Sequence, residues 1–172
     1  ATNMVFADGN PQSKIMLSGE APEGDEDIQG KAFVGASGQL LDKILACIDL
    51  GRNAEDLAKS VYMTNVLNWR PPGNRTPTKS EMDVSRPFIT RHIALVKPKS
   101  LILCGGLGAQ TLLQSSDTIS KLRGKFHEYK TEEGDIIPVM VTYHPAYLLR
   151  TPAQKKAVWA DMLMFKDKLE SL

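Results

Sequence analysis

An alternation of short apolar runs with segments of helical period constrains this chain more than any other feature. Residues 14–18, 61–67, 100–104 and 138–143 are too short for helices and read as buried strands. Between them, residues 35–50 carry Leu40, Leu41, Ile44, Leu45 and Ile48 at three- and four-residue steps, and Gly51 supplies a stop. Thr78 can cap a second helix with Glu81 at the capping-box position and Phe88, Ile89, Ile93 and Val96 along its apolar face. Pro87 is expected to kink that helix and Pro98 to end it. A short helix follows Gly105-Gly106, and residues 153–169 form the last, with Val158, Met162, Phe165 and Leu169 turned inward. Strands alternating with helices imply an α/β fold, a three-layer α/β/α arrangement with a central four-stranded parallel sheet. Residues 5–11 read as an extended lead-in, and residues 114–135 as a polar stretch with room for a hairpin. The 172 residues are one domain's worth.

The connection from the first strand to the first helix is unusual. It holds Glu20, Glu23, Asp25, Glu26 and Asp27, five carboxylates within eight residues, and ends in Phe33-Val34-Gly35. Open α/β sheets bind ligands where such connections leave the strands. A solvated acidic loop is the plain alternative. Net charge is +1, but residues 1–56 carry −6 and residues 57–172 carry +7. A basic portion of this kind suits contact with phosphate, although surface charge can also be uneven without purpose. No apolar run approaches the roughly 20 residues needed to span a bilayer, and no signal peptide is apparent. Cys47 falls in a helix and Cys104 in a strand, which suggests no disulfide framework and fits a reducing, cytoplasmic setting.

Four linked segments carry a resemblance. Residues 17–45 contain Gly19-Glu20-Ala21-Pro22 and Phe33-Val34-Gly35; Thr64-Asn65-Val66, the run Arg70-Pro71-Pro72-Gly73-Asn74-Arg75-Thr76-Pro77-Thr78 and His144-Pro145-Ala146 follow in order. Together they resemble the uracil-DNA glycosylase superfamily, closest to its family 4, over nearly the whole chain. The resemblance implies a monomer that flips uracil out of single- or double-stranded DNA and hydrolyses its N-glycosidic bond. That reaction sends negative charge onto the departing base and leaves oxocarbenium character on the sugar. It requires no metal or redox cofactor.

By resemblance, His144 hydrogen-bonds the uracil O2, and Glu20 is a water-activating or cation-stabilising acid. Glu26 matches an acid that pairs with Asn74 to close the pocket. The two acids, Glu20 and Glu26, are left unranked. Glu23 stands where the family loop commonly has glycine. Gly19 and Ala21 belong to the same loop and line the substrate site. Asn65 can accept from uracil N3–H and donate to O4, a pattern cytosine cannot match; on residues alone it could equally end a strand in a turn. Phe33 reads as a core aromatic from the residues, and as the stacking platform from the resemblance. Leu148, Leu149 and Arg150 resemble the loop that wedges into the minor groove, with Leu148 the wedge by spacing. Arg75, Arg150, Lys155 and Lys156 are phosphate-contact candidates, the lysines reading equally as a solvated face.

Family 4 members typically hold a [4Fe–4S] cluster on four cysteines. At the two such positions that fall in this chain stand Trp69 and Ser85. Neither supplies a thiolate, so no cluster is expected, and Trp69 is expected to pack beside Ser85 in the volume released. Two other readings compete: a uracil-DNA trapping protein with little turnover, and a metal-dependent phosphoesterase using the acidic loop as oxygen ligands. No basic, histidine-containing insert follows the Pro-rich run, which counts against the trap.

Overall fold

The computed structural model describes residues 1–172. In chain order the elements are β1 (Ala7–Asp8), β2 (Ile15–Gly19), α1 (Gly24–Gln29), α2 (Ala36–Ala46), β3 (Val61–Asn65), α3 (Lys79–Val96) and β4 (Ser100–Cys104). Then come α4 (Gly106–Leu113), α5 (Ile119–Leu122), β5 (Phe126–Lys130), β6 (Ile136–Thr142), α6 (Pro145–Arg150) and α7 (Lys155–Glu170).

One sheet of six strands runs in the order β1-β3-β2-β4-β6-β5. The central β3, β2, β4 and β6 are mutually parallel. The four-stranded parallel sheet is therefore the core of the observed one, and the count is corrected by an antiparallel strand at each edge. β1 has only two residues and pairs with β3. β5 pairs with β6 as a hairpin. Both edges lack the continuous apolar run that marks buried parallel strands: β5 reads Phe-His-Glu-Tyr-Lys and buries only Tyr129.

Alternate strand residues point to opposite faces. Ile15, Leu17, Val61, Met63, Ile102 and Met140 pack with residues of α2, α6 and α7. Met16, Tyr62, Leu101, Leu103, Val139 and Val141 pack on the other side with residues of α3, α4 and α5. Three layers result.

Thr78 caps α3 by accepting from the Glu81 N–H at 3.2 Å, while Glu81 Oε1 accepts from the Thr78 N–H at 2.9 Å. Pro87 lies inside α3 without ending it. Phe88, expected on the buried face, is 70% exposed, and Met82 is buried with Ile89 and Ile93 instead. The acidic connection also departs from a plain loop. Its middle is α1, closed by Gly30 in the left-handed region.

Candidate active site

From β2 the chain crosses to β3 on one side, whereas β4 joins β2 on the other. The crevice of an open α/β sheet forms at such a reversal, outside the carboxyl ends of the strands. Gly19 ends β2 in register with Asn65, the last residue of β3. The two lie so close that a Cβ built on Gly19 would stand 2.6 Å from both Asn65 Oδ1 and Phe33 Cζ. Asn65 is buried, and its Oδ1 has no hydrogen-bond partner in the protein. An unmet buried acceptor costs roughly 1–3 kcal/mol, a cost that a ligand bringing a donor would relieve.

The Phe33 ring lies 6.0 Å, centroid to centroid, from the His144 imidazole. His144 follows β6 and caps α6, where its Nδ1 accepts from the Ala146 N–H at 3.1 Å. With Nδ1 an acceptor, a neutral ring carries its proton on Nε2. Burial, with the Arg150 guanidinium adding to it, pulls the imidazole pKa down to about 4. At neutral pH the ring is therefore an uncharged Nε2–H donor with a fixed tautomer.

Glu20, immediately after β2, lies against the first turn of α4, where a Cβ built on Gly108 would stand 3.5 Å from its Cγ. The Gly105 turn makes this possible. Its φ is +100°, and a Cβ there would stand 2.1 Å from Glu20 Oε1. Burial raises the Glu20 pKa above the ordinary 4.5, partly offset by the Leu107 amide. Glu20, His144, Ala21, Asn74, Arg75 and Arg150 line one cleft of about 210 Å³, together with Glu23 and Tyr147. Asn65 and Phe33 are buried outside that lining: Phe33 lies beside His144, and Asn65 also borders a separate apolar cavity with Phe6, Phe88 and His92.

Glu26 does not reach this cleft. Its Oε2 accepts from the Val34 and Gly35 N–H groups at 3.0 and 2.7 Å, and its Oε1 from the Glu23 N–H at 3.1 Å. The expected pairing of Glu26 with Asn74 is not made in this structure: backbone donors take both Glu26 oxygens, while Asn74 lies exposed on the cleft, left-handed at φ 56°. Asp27 is committed as well, accepting from the Thr2 and Asn3 N–H groups and facing Arg70 Nε at 3.3 Å. The acidic connection thus spends its charge on separate tasks. Nowhere do three His, Cys, Asp or Glu side chains converge as a metal site.

Residues 6–163 match the profile of the uracil DNA glycosylase superfamily. The chain belongs to that superfamily. It is 37% identical over 164 residues to a type-4 uracil-DNA glycosylase of Archaeoglobus fulgidus, covering 93% of this chain and 79% of that protein. With a namesake from Saccharolobus solfataricus the identity is 38% over 98% of this chain and 77% of the relative. For one from Pyrobaculum aerophilum it is 34%, over 95% and 82%.

The remaining residues named by superfamily resemblance distribute unevenly. Leu148 is only 1% exposed and packs in the core beneath α6, so it cannot serve as the wedge; its neighbour Leu149 is 48% exposed. A six-residue helix turns adjacent positions about 100° apart, and spacing from His144 did not reveal which one faced inward. Arg150 is exposed on the cleft. Arg75 reaches the cleft, but Glu81 holds its guanidinium at 2.6 and 3.0 Å. Lys155 and Lys156 open α7, exposed and outside the cleft. Trp69 is 54% exposed, which corrects the expectation that it fills core volume beside Ser85.

Sequence reasoning passed over Gly105 as the turn that admits Glu20, Tyr147 as part of the cleft, and Arg52, whose guanidinium donates to the Ala32 and Phe33 carbonyls. A glycine pair directly after a strand is a signal that could have found Gly105. Arg52, following a helix stop, gave none.

Proposed function

We propose that the chain is a monofunctional uracil-DNA glycosylase, working as a single monomeric domain in the cytoplasm on uracil flipped from DNA. The relatives' activity supports this reading, and the unpartnered Asn65 Oδ1 carries it. A buried acceptor at that point calls for a donor. Uracil N3–H is one, whereas cytosine N3 is itself an acceptor. Asn65 Nδ2 can then donate to O4, and Phe33 stacks under the ring.

As the C1′–N1 bond breaks, its electron pair leaves with the base and charge gathers on the uracil oxygens. The Nε2–H of His144 is the donor for O2. A preorganised donor of this kind contributes on the order of 3 kcal/mol to the transition state. Glu20 supplies negative charge beside the sugar and can accept a proton from the water that adds to C1′, leaving an abasic site. Exposed Leu149, rather than Leu148, fills the duplex gap, and Arg150 takes a phosphate.

The residues do not fit an iron–sulfur cluster. Trp69 and Ser85 bring no thiolate, Cys47 is exposed at the end of α2, and burial, with Glu20 nearby, pushes the Cys104 thiol up to about 12. Both thiols are free, in keeping with a reducing compartment. No helix is long and apolar enough to cross a membrane.

The deciding experiment measures excision from single- and double-stranded uracil DNA with and without EDTA. Multiple turnovers insensitive to chelator are expected. A single stoichiometric capture supports the trapping reading, and phosphodiester cleavage abolished by EDTA supports the phosphoesterase.

A further inference from the structure

Phe33 stands in the left-handed region at φ 56°, unfavourable for an aromatic residue. Something must hold it there. Buried side chains satisfy both carbonyls before the following turn and both amides within it. Arg52 Nη1 donates to the Ala32 carbonyl at 2.7 Å and Nη2 to the Phe33 carbonyl at 2.6 Å. Glu26 accepts from the next two N–H groups, as described above. Behind the Phe33 carbonyl, α2 approaches so closely that a Cβ on Gly38 would stand 1.9 Å from its oxygen.

Arg52 is itself fixed. It is 8% exposed, its Nε donates to Asp42 at 3.0 Å, and its Nη1 donates to Asp8 at 3.0 Å. A guanidinium is planar and forked, so these four partners set its orientation and aim two N–H groups at consecutive carbonyls. A lysine there keeps the charge and loses the fork.

We propose that Arg52 is a positioning residue for base recognition, locking the Phe33 backbone so that its ring stays against His144 and Asn65. This rests on the glycosylase reading above. The alternative is that Arg52 merely ties β1, α2 and the intervening turn together.

A double-mutant cycle separates the two. Arg52→Lys is expected to raise KM for uracil-containing single-stranded DNA about tenfold, within the range of a lost base–aromatic stack, with a smaller change in kcat. In a Phe33→Ala background the same substitution should add less than about threefold, since there is no ring left to position. Asp42→Asn, milder because Asp42 is partly exposed, should raise KM in the same direction and also lose its effect without Phe33. Equal effects of Arg52→Lys in both backgrounds, or a lower melting temperature with KM unmoved, overturn the proposal. Should Arg52→Lys not fold, Asp42→Asn decides by the same criterion. The nuclear Overhauser contact between the Phe33 and His144 rings gives a readout independent of uracil. It should weaken in Arg52→Lys, and its full persistence also overturns the proposal. A parent protein that excises no uracil overturns the glycosylase reading instead, while the ring contact still decides whether Arg52 holds Phe33.

Discussion

Glu20 and Glu26 stand six residues apart in one acidic connection, and the fold gives them opposite environments. Glu26 is saturated: three backbone N–H groups take both oxygens. Glu20 has no hydrogen bond within the protein and faces the cleft that His144 lines, with the Leu107 amide only partly offsetting its burial. On the function proposed here, the difference separates a carboxylate that organises backbone from one available for chemistry. Identical side chains acquire different roles through environment. Asn65 belongs with Glu20, because its Oδ1 is buried and unspent, whereas Arg52 belongs with Glu26.

The largest expected effect lies on the unspent side. Asn65→Asp keeps the shape but ionises to a group that only accepts, facing the uracil O4 in a dry pocket. Sites built to hydrogen-bond a substrate group reject a mismatch by roughly 10⁴ or more, and uracil excision should fall on that scale. Cytosine should become relatively less disfavoured. Excision near the parent rate removes Asn65 from base reading. His144→Ala should lower single-turnover uracil release by about two to three orders of magnitude, the worth of one preorganised donor. Near-full activity would take His144 out of the mechanism.

The direct contrast comes next. Glu20→Gln should cost about a hundredfold in rate, within the range of general acid–base groups, with little loss of stability. Glu26→Gln should do the reverse. Its amide NH₂ would oppose backbone donors, and lost charge-assisted bonds are worth about 1.5–3 kcal/mol each. A lower melting temperature with a rate within a few fold of the parent is expected. If Glu26→Gln slows chemistry as much as Glu20→Gln, the division of labour is wrong.

These assignments were unequally legible in the sequence. The four parallel strands could be read from their apolar runs, whereas Glu20 and His144 were singled out through the superfamily resemblance, and the structure brings both to one cleft. What escaped depended on direction. Leu148 and Leu149 are both apolar, and only the packing of α6 against the core decides which is hidden. Glu26 looked like a second catalytic acid because nothing local announces that residues 34 and 35 fold back onto it. Arg52 and Phe33 meet through a turn 19 residues away, beyond any periodicity. The edge strands were legible only as an extended lead-in and as room for a hairpin, without a place in the sheet, because short strands rich in polar residues leave little apolar signal.

A smaller effect tests that directional point. Leu149→Ala should reduce excision from duplex DNA about tenfold or less and leave single-stranded substrate nearly unchanged, since only the duplex has a gap to fill. Leu148→Ala should instead destabilise the fold by roughly 2–5 kcal/mol, measured by urea unfolding. An equal loss on both substrates from Leu149→Ala would deny it a wedge role.

The smallest expected change, a shift along the pH axis, sharpens the comparison most finely. Burial raises the Glu20 pKa above 4.5, so the carboxylate that chemistry requires is lost as pH falls through that raised value. His144 moves the other way, from an ordinary 6.5 down to about 4, and stays a neutral donor across the same window. The acid limb of the rate profile should therefore lie above 4.5, belong to Glu20, and disappear from the residual activity of Glu20→Gln. A limb that survives in that variant assigns it elsewhere. For stability the His144 sign is equally fixed. Between about 6.5 and 4 the unfolded chain binds a proton that the folded ring refuses, so His144 makes the fold less stable as pH drops through that window. Arg150 is the second cause of the depression, after burial. Arg150→Gln should accordingly raise the imidazole pKa, yet leave it below 6.5, in an NMR titration of the ring protons. Full return to 6.5 would mean that charge, rather than burial beside Phe33, governs the ring.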